Sequence, residues 1–405
     1  MSASLDSGLS RPPQTTPRSG ASPERAEPQA RGRLAELRGP AVVPRPLDAR
    51  AIAALAANPG CRRRALLDGA GIDKSALAAK LGSPAPFGQS QFAIVRGNSF
   101  EAKVKADGGR ELLRLIGVEE PGEVSVPDLS AAGPTGRVAR TALALREATG
   151  AGAWTLLDHP LLALEVAGAP VYLEPDAVVV RPDGGWTVVE IKSFPMVDGS
   201  ADAAKVGAAA RQAAVYVLAL ERVAARTEGA RVAQSVFLVC PKDFSNLPTA
   251  SMVDVRKQRS VTRRQLARLT RIDEIARALP EGIDFDVAER TQEELTKAVE
   301  CVPHQYAPEC LAACELAFHC RSRSREAGAV EVLGRSVRGE LGGLSTVGEV
   351  LAAARGEGGS PGAGAAGDAA PEDPAVTALR RARALREEAL ASRPSGAPGE
   401  GSCPC

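Results

Sequence analysis

The sequence predicts a mixed α/β fold in which a mixed β-sheet is flanked by helices. A stretch rich in Val, Leu and Thr, residues 154–194, contains the turn signals "AGAP" and "PDGG". This pattern is typical of three or four antiparallel strands in a meander. Helical patterns precede and follow the stretch, and the apolar run "SVFLVCP" after them predicts a buried strand. The resulting order α-β-β-β-α-β indicates a mixed α/β core.

The helices on either side of the strands are placed from their apolar spacing. Thr135 is a predicted N-cap, because its hydroxyl can accept a hydrogen bond from the first helical turn. The segment "SMVDVRKQ" is a further candidate strand. The predicted helices cover Leu47–Ala57, Gln89–Lys105, Gly108–Gly117, Thr135–Thr149, Ala201–Arg226 and Thr262–Leu279.

Composition divides the 405 residues into one globular domain between two tails. Residues 1–45 are rich in Pro, Ser, Arg and Glu and contain almost no large apolar side chains, so we expect disorder there. Residues 351–405 are predicted to be a flexible tail because they contain the linker-like "GEGGSPGAGAAGDAAPEDP". A short isolated helix is expected within that tail at Val376–Ala391. The globular domain is therefore predicted at residues 46–350.

Charge and composition narrow the classes of function. The net charge is +1, so binding to nucleic acid would need local basic patches rather than a global field. No apolar run reaches the roughly 18–20 residues of a membrane span, and no signal-peptide pattern is present, which predicts a cytoplasmic protein. The sequence contains no GxxxxGK[ST] phosphate-binding loop, so we do not expect this chain to carry an ATP-driven motor of its own. In a reducing compartment, the eight cysteines are expected to be thiols or metal ligands rather than disulfides.

Opposite charges occur within the apolar strand "WTVVEIKSF". Glu190 and Lys192 are two residues apart and therefore point to the same face of the strand. The turn "RPDGGW" folds this strand against the preceding one and brings Asp176 beside them. Two buried carboxylates side by side are costly unless a cation joins them, and a hard divalent ion takes oxygen ligands. The alternative is a solvated face with surface salt bridges.

The Asp176, Glu190 and Lys192 pattern resembles that of the PD-(D/E)XK nuclease superfamily. The following "QAAVYVLAL" places Gln212 and Tyr216 four residues apart, which resembles the Q-x-x-x-Y signature of the RecB-type branch. In "RGNSFE", Glu101 follows Gly97 at the spacing of the family's early metal-binding element. The resemblance implies a restriction-endonuclease-like core.

The same resemblance implies a role for each matched residue. Glu101, Asp176 and Glu190 would hold Mg²⁺ or Mn²⁺. Lys192 would be catalytic, and Gln212 and Tyr216 would contact the substrate or support the site. A solvated Glu101 and a plain core role for Tyr216 are the alternatives.

Four cysteines form a second pattern. Cys310, Cys314 and Cys320 lie in "CLAACELAFHC", and Cys61 precedes an Arg-rich helix far upstream. The pattern resembles the iron–sulfur staple of RecB-type nucleases and implies a [4Fe–4S] cluster, with Zn²⁺ as the alternative. The family has two residues between its first close pair of cysteines and this chain has three, so Cys301 is a substitute ligand to consider.

A basic segment, "RKQRSVTRRQLARLTR", predicts contacts with phosphates. Three of its arginines are expected on one helical face: Arg264, Arg268 and Arg271. Arg62–Arg64 form a second basic group, and a solvated basic face is the alternative for both. The candidate DNA-binding residues are Arg256, Lys257, Arg263, Arg264, Arg268 and Arg271.

Together these patterns predict a metal-dependent deoxyribonuclease, an exonuclease on single-stranded DNA ends that acts in repair, recombination or defence against foreign DNA. A separate helicase or defence-system partner is left open. Two other functions compete with this one. The first is a non-catalytic, cluster-stabilised DNA-binding or scaffold subunit of a larger complex, and the second is an iron–sulfur redox sensor.

Overall fold

The computed structural model describes residues 32–84, 91–118, 124–357 and 373–392. The disorder predicted for residues 1–31 and the flexible tail predicted at 358–372 and 393–405 lie outside these ranges. No helix in the described ranges is both long enough and apolar enough to cross a membrane.

The described chain contains helices on both sides of one large sheet. The strands are β1 (Thr155–Asp158), β2 (Leu162–Val166), β3 (Ala169–Leu173), β4 (Ala177–Val180), β5 (Gly185–Ile191), β6 (Arg231–Val232), β7 (Ser235–Pro241) and β8 (Pro248–Asp254). The helices are α1 (32–38), α2 (Ala49–Ala57), α3 (Arg62–Gly69), α4 (Lys74–Lys80), α5 (Gln91–Lys105), α6 (Arg110–Leu115), α7 (Gly133–Ala151), α8 (Ala203–Ala224), α9 (Arg256–Leu266), α10 (Ile272–Arg277), α11 (Gln292–Glu300), α12 (Ala317–Glu326), α13 (Arg335–Glu340), α14 (Val347–Arg355) and α15 (Pro374–Ala391). Two 3₁₀ segments lie at Pro308–Ala312 and Val330–Leu333.

The large sheet has the strand order β1-β4-β5-β7-β8, and β6 pairs with β5. β5 and β7 are parallel, whereas β1–β4, β4–β5 and β7–β8 are antiparallel. This arrangement confirms the predicted mixed α/β fold with a mixed sheet flanked by helices. Residues 154–194 form five strands rather than three or four. They are not a simple meander, because β2 and β3 pair with each other in a separate two-stranded sheet.

Central strand β5 separates two apolar layers, and all seven of its residues are buried. Trp186 and Val188 face a core that also contains residues of α2, α7 and α8. Val189 and Ile191 face the opposite layer with Phe100 of α5 and residues of α6. Because side chains alternate along a strand, Glu190 belongs to the Trp186 face, which α8 covers.

A second, largely helical core joins α3, α4, α10 and α11 to the cysteine-bearing segment near residue 310. Leu37 of α1 is fully buried in this core, so the disorder predicted for residues 1–45 is wrong for residues 32–45. The prediction failed because it used the average composition of the tail. Two leucines near its end, Leu34 and Leu37, pack into the second core of the folded chain.

The single helix predicted at Thr262–Leu279 is wrong. The structure contains α9 and α10 instead, separated at residues 267–271. Leu266 packs against the core beside α8, whereas Ile272 and Ile275 pack into the second core, so the chain changes direction between them. The candidate strand "SMVDVRKQ" is likewise only partly a strand. Strand β8 ends at Asp254, and helix α9 begins at Arg256.

Two further expectations are corrected at helix ends. Helix α7 begins at Gly133 with Pro134 in its first turn, so Thr135 lies inside the helix and is not its N-cap. Helix α15 is present, but it is not isolated: it packs against α14, and Val376 is buried in a small cluster with Ala353.

Candidate active site

The β4–β5 hairpin brings the predicted carboxylates together. In its register Ala177 pairs with Val189, which places Asp176 beside Glu190 at the open end of the hairpin. The Asp176 Oδ2 atom accepts a hydrogen bond of 2.6 Å from the backbone N–H of Ile191. The sequence-based expectation of one hairpin carrying both carboxylates and Lys192 is therefore met in the geometry.

Glu190 is only 1% exposed. It forms an ion pair with Lys192, yet neither of its carboxylate oxygens accepts a hydrogen bond of regular geometry. Burial, together with the negative charge of Asp176, raises the pKa of Glu190 to about 7 despite the opposing charge of Lys192. Burial likewise raises the pKa of Asp176. The site therefore holds two carboxylates that resist ionisation as long as no further cation joins them.

The pKa of Lys192 is raised as well. Burial favours the neutral amine, but the carboxylates of Glu190 and Asp176 outweigh burial. The lysine is consequently an ammonium group at neutral pH.

Glu101 reaches the site from α5. Its negative charge contributes to the raised pKa values of both Asp176 and Glu190, which places all three carboxylates in one neighbourhood. Hydrogen bonding to His159, reinforced by Lys105, lowers the pKa of Glu101 to about 2. Its Oε1 atom lies 3.0 Å from His159 Nε2 and 2.6 Å from Lys105 Nζ.

Lys105 and His159 are site residues that sequence reasoning missed. Lys105 also donates hydrogen bonds to Asp158 Oδ1 at 2.6 Å and to the carbonyl oxygen of Asp176 at 2.7 Å. It thereby joins α5 to β1 and to the start of β4. The helical spacing from Glu101 to Lys105 was a usable signal. His159 gave none, because its position after β1 depends on a left-handed backbone with φ of 45°.

Helix α8 supplies Gln212 and Tyr216 on the face that covers β5. Gln212 Nε2 donates a hydrogen bond to Tyr216 Oη at 3.1 Å. Burial raises the pKa of Tyr216, and the negative charges of Glu190 and Asp176 add to this effect. The predicted pair therefore lies beside the carboxylates.

The donors suit a hard divalent cation, although they do not converge on one. Among the described residues, no three Asp, Glu, His or Cys side chains are gathered as they would be around a metal ion. Glu190 nevertheless presents two buried oxygens without regular hydrogen bonds, next to a second carboxylate. Oxygen donors of this kind are the ligands that Mg²⁺ and Mn²⁺ take.

We expect metal-free Glu190→Gln protein to melt at a higher temperature than wild type at pH 8. The folded-state pKa of about 7 lies above the ordinary value of 4.5, so ionised Glu190 opposes folding above pH 7. This penalty declines as the pH falls below 7 and is absent below about 4.5. Lys192 keeps Asp176 as a partner in the variant. For a chain of this size, a gain of roughly 1 kcal/mol corresponds to a rise of about 1–2 °C in the melting temperature.

The measurement is a pair of thermal melts in chelator at pH 8 and near pH 4.5, where the gain should vanish. Glu165→Gln, at an exposed position of β2, is the control and should change neither melt. A variant that melts at or below the wild-type temperature at pH 8 would contradict the raised pKa of Glu190.

The four predicted cysteines lie in one region of the folded chain, although in the described residues no three of them are gathered as they would be around a metal ion. Cys61 directly precedes α3, and the other three lie in or beside the first 3₁₀ segment and α12. Cys61 and Cys310 are both close enough to raise the pKa of Cys320, although burial is the larger cause and brings it to about 11. Burial also raises the pKa of Cys314 to about 12, with Cys320 contributing.

Local hydrogen bonds fit this group of thiols. The backbone N–H of Cys314 donates to the carbonyl of Cys310 at 2.8 Å, so one tight turn joins the two cysteines despite the three-residue spacing. Asn58 Nδ2 lies 3.4 Å from Cys310 Sγ, and Arg63 Nη1 lies 3.3 Å from Cys320 Sγ. Cys301 is exposed at the end of α11.

Two arginines expected to bind phosphates are buried instead. Arg63 is 3% exposed and donates to the carbonyl of Val302 as well as to Cys320. Arg64 forms a buried ion pair with Asp68, which Lys74 also contacts. The prediction of a DNA-binding group at Arg62–Arg64 is therefore wrong for these two, which hold the cysteine segment against α3.

The six candidate DNA-binding residues of the segment 256–271 are exposed, but they do not lie on one helical face. Arg256 is paired with Asp254 and Arg271 with Asp273, and Arg271 directly precedes α10 rather than continuing α9. The four other predicted residues are exposed and have no ion pair within the described part of the chain: Lys257, Arg263, Arg264 and Arg268. The prediction that Arg264, Arg268 and Arg271 share one helix is wrong, because α9 ends at Leu266.

Comparisons with known proteins give only distant similarity. No family model and no curated protein matches the chain. A crystal structure of a candidate exonuclease from Eubacterium rectale is 12% identical and covers 62% of this chain and 83% of its own, with a TM-score of 0.28. The structure of SSO0001 is 13% identical and covers 47% of this chain and 81% of its own, with a TM-score of 0.17. Likeness at this level does not define a common fold, so a functional conclusion has to rest on the site.

Proposed function

We propose that the chain is a metal-dependent nuclease of the PD-(D/E)XK type, in the RecB-like branch of that class. The observation that carries this proposal is the β4–β5 hairpin, which holds Asp176, Glu190 and Lys192 together in a largely buried site. The proposed substrate is DNA with single-stranded ends, and the proposed reaction is hydrolysis of the phosphodiester bond by an exonuclease.

Each site residue has a role in this chemistry. Asp176 and Glu190, with Glu101, would hold Mg²⁺ or Mn²⁺, which when bound lowers the pKa of water and stabilises negative charge on a phosphate. Lys192 is protonated at neutral pH, so it can donate hydrogen bonds to a phosphate oxygen or orient the attacking water. Tyr216 and Gln212 buttress the buried carboxylates from α8. Lys105 and His159 keep Glu101 ionised and in place.

The same residues weigh against a purely structural subunit. A buried glutamate without regular hydrogen bonds beside a second carboxylate destabilises the fold, and a protein that only binds or assembles gains nothing from it. A catalytic metal site accounts for this arrangement, because active sites commonly contain buried carboxylates whose pKa values are shifted.

We further propose a four-thiolate cluster at Cys61, Cys310, Cys314 and Cys320, a [4Fe–4S] centre with Zn²⁺ as the alternative. The thiols lie close enough to influence one another's charge, and Asn58 and Arg63 direct donors at two of the sulfurs, which supports this proposal. Hydrogen bonds to sulfur stabilise thiolates, and cluster binding would remove the protons that burial otherwise retains. The cluster would tie α3 to the segment that precedes α12.

The direct test uses anaerobically purified protein with Mn²⁺ or Mg²⁺ on end-labelled DNA. The proposal predicts progressive shortening of single-stranded substrate and no reaction in chelator. Internal cutting would indicate an endonuclease with the same site. No cleavage of single- or double-stranded DNA with either metal would refute the proposed function.

The basic residues give a binding prediction. Arg264→Glu combined with Arg268→Glu should weaken binding to single-stranded DNA and flatten its salt dependence, because fewer counterions are released. The slope of log K against log salt should fall by about 0.7 for each phosphate that the protein no longer neutralises. Lys297→Glu, at an exposed position of α11, is the matched control and should leave the slope unchanged. An unaltered slope in the double variant would mean that the two arginines do not contact phosphates and form only a solvated basic surface.

A further inference from the structure

The loop between β7 and β8, residues 242–247, lies at the same edge of the sheet as the carboxylates. β5 and β7 are parallel, so the loops that follow them leave the sheet at one edge. Backbone hydrogen bonds join the two loops: Met196 N–H donates to the carbonyl of Pro241 at 2.8 Å, and Asp243 N–H donates to the carbonyl of Met196 at 3.0 Å. The β7–β8 loop is therefore held against the segment that directly follows Lys192.

The other side of this loop is tied to the helix that carries Glu101. Lys103, two residues from Glu101 on α5, donates from Nζ to the carbonyl of Asn246 at 2.9 Å. The loop is thus fixed between two of the elements that build the candidate active site.

Phe244 occupies this loop in an unusual state. The residue is 80% exposed, more than twice the value of Tyr172 or Phe318, which are also exposed. Its backbone is left-handed with φ of 61°, and the neighbouring Asp243 is left-handed with φ of 47°. Residues other than glycine adopt this region at a cost, which persists where the surroundings impose it. In this loop the left-handed backbone leaves the Phe244 ring in solvent, so burial of the ring does not offset the conformational cost.

Two lysines lie in this loop or next to it. Lys242 is exposed within the loop, and Lys103 is exposed on α5 beside it. Exposed aromatic side chains between basic residues are the means by which proteins hold single-stranded nucleic acid, since every base offers a face for stacking and the phosphates meet the cations. Because β5 and β7 end at the same edge of the sheet, a nucleic-acid strand whose phosphate lay at Lys192 would have this loop on one side of it.

We propose that Phe244 stacks on a base of the single-stranded nucleic acid next to the phosphate in the site. This inference rests on the proposed nuclease function and adds a substrate-binding residue to it. Stacking on a ring does not distinguish one base from another, so this contact favours unpaired strands without selecting a sequence.

The test measures equilibrium binding of a fluorescently labelled single-stranded oligonucleotide in a Lys192→Ala background, which prevents cleavage during the titration. Phe244→Ala should weaken binding about 5- to 100-fold, the effect of removing one base–aromatic stack. Phe244→Trp should bind as tightly as the protein that retains Phe244. Leu247→Ala, at a 60% exposed position in the same loop, is the control and should have little effect.

An oligonucleotide with abasic sites distinguishes stacking from a general effect of the loop. It should bind equally to the protein that retains Phe244 and to the Phe244→Ala variant, because it has no base to stack. Equal affinity of both proteins for the ordinary strand, or an equal weakening on the abasic strand, would overturn the proposal and leave the ring as a contact for a protein partner. If the protein with Lys192 intact fails to cleave DNA at all, the proposed function fails, whatever these affinities are.

Discussion

Asp176→Asn should abolish DNA cleavage, with a loss of at least about 100-fold, while the protein remains folded. The substitution removes the negative charge that would hold a divalent cation, and metal-bound groups of this kind contribute several kcal/mol to a phosphoryl transition state. Asparagine keeps the shape of the side chain and an oxygen that can still accept the hydrogen bond from Ile191. Loss of packing is therefore not expected.

Lys192→Met should have a similar effect on cleavage for a different reason. Methionine retains the apolar part of the side chain but cannot donate to a phosphate or to water. The measurement for both variants is the initial rate on end-labelled single-stranded DNA, together with circular dichroism to verify the fold.

The control for these variants is Asp183→Asn, at the turn that closes the same hairpin. Asp183 is far from the open end and pairs with Arg231 at the surface. This variant should cleave at the wild-type rate. If Asp176→Asn or Lys192→Met, free of contaminating nuclease, cleaves as fast as this control, the active-site assignment is wrong.

Cys61→Ser should remove the bound metal and lower the melting temperature. Anaerobically purified wild-type protein is expected to be brown, to absorb broadly near ~400 nm and to contain about four iron atoms per chain. Cys61 is the only proposed ligand on the N-terminal side. Without it the three remaining cysteines no longer tie α3 to the segment before α12, and a long loop is no longer closed.

Cys301→Ser is the matched control for this prediction, because Cys301 is exposed and adjoins the same region. It should keep its iron and its melting temperature. Loss of iron in Cys301→Ser would mean that the three-residue spacing has moved ligation away from the assigned trio. One zinc and no iron in wild-type protein would refute the iron–sulfur cluster but retain a four-thiolate staple.

Much of the active-site hairpin could be predicted from the sequence. The turn "RPDGGW" and the alternation of side chains between the two faces of "WTVVEIKSF" are local properties, and together they define the register that places Asp176 beside Glu190. The pairing of Gln212 with Tyr216 follows in the same way from helical spacing. Short-range geometry is encoded by neighbouring residues, so these features can be recognised without the fold.

Other features were decided by tertiary structure alone. In the sequence, Arg63 and Arg64 look like a basic surface. In the structure they are buried, where Arg63 donates a hydrogen bond to the carbonyl of Val302 and Arg64 forms an ion pair with Asp68. The break between α9 and α10 arises because successive leucine and isoleucine residues pack into different cores.

The sequence by itself determined the hairpin, its three charged residues and the four cysteines. The fold decided that His159 meets Glu101, and that the loop carrying Phe244 lies at the same edge of the sheet as the carboxylates. The physical reason is the distance along the chain over which each pattern acts. Strand alternation and helical spacing relate residues that are only a few positions apart. The contacts of Lys105 with Asp158 and Asp176, by contrast, join α5 to two strands that no local pattern relates to it.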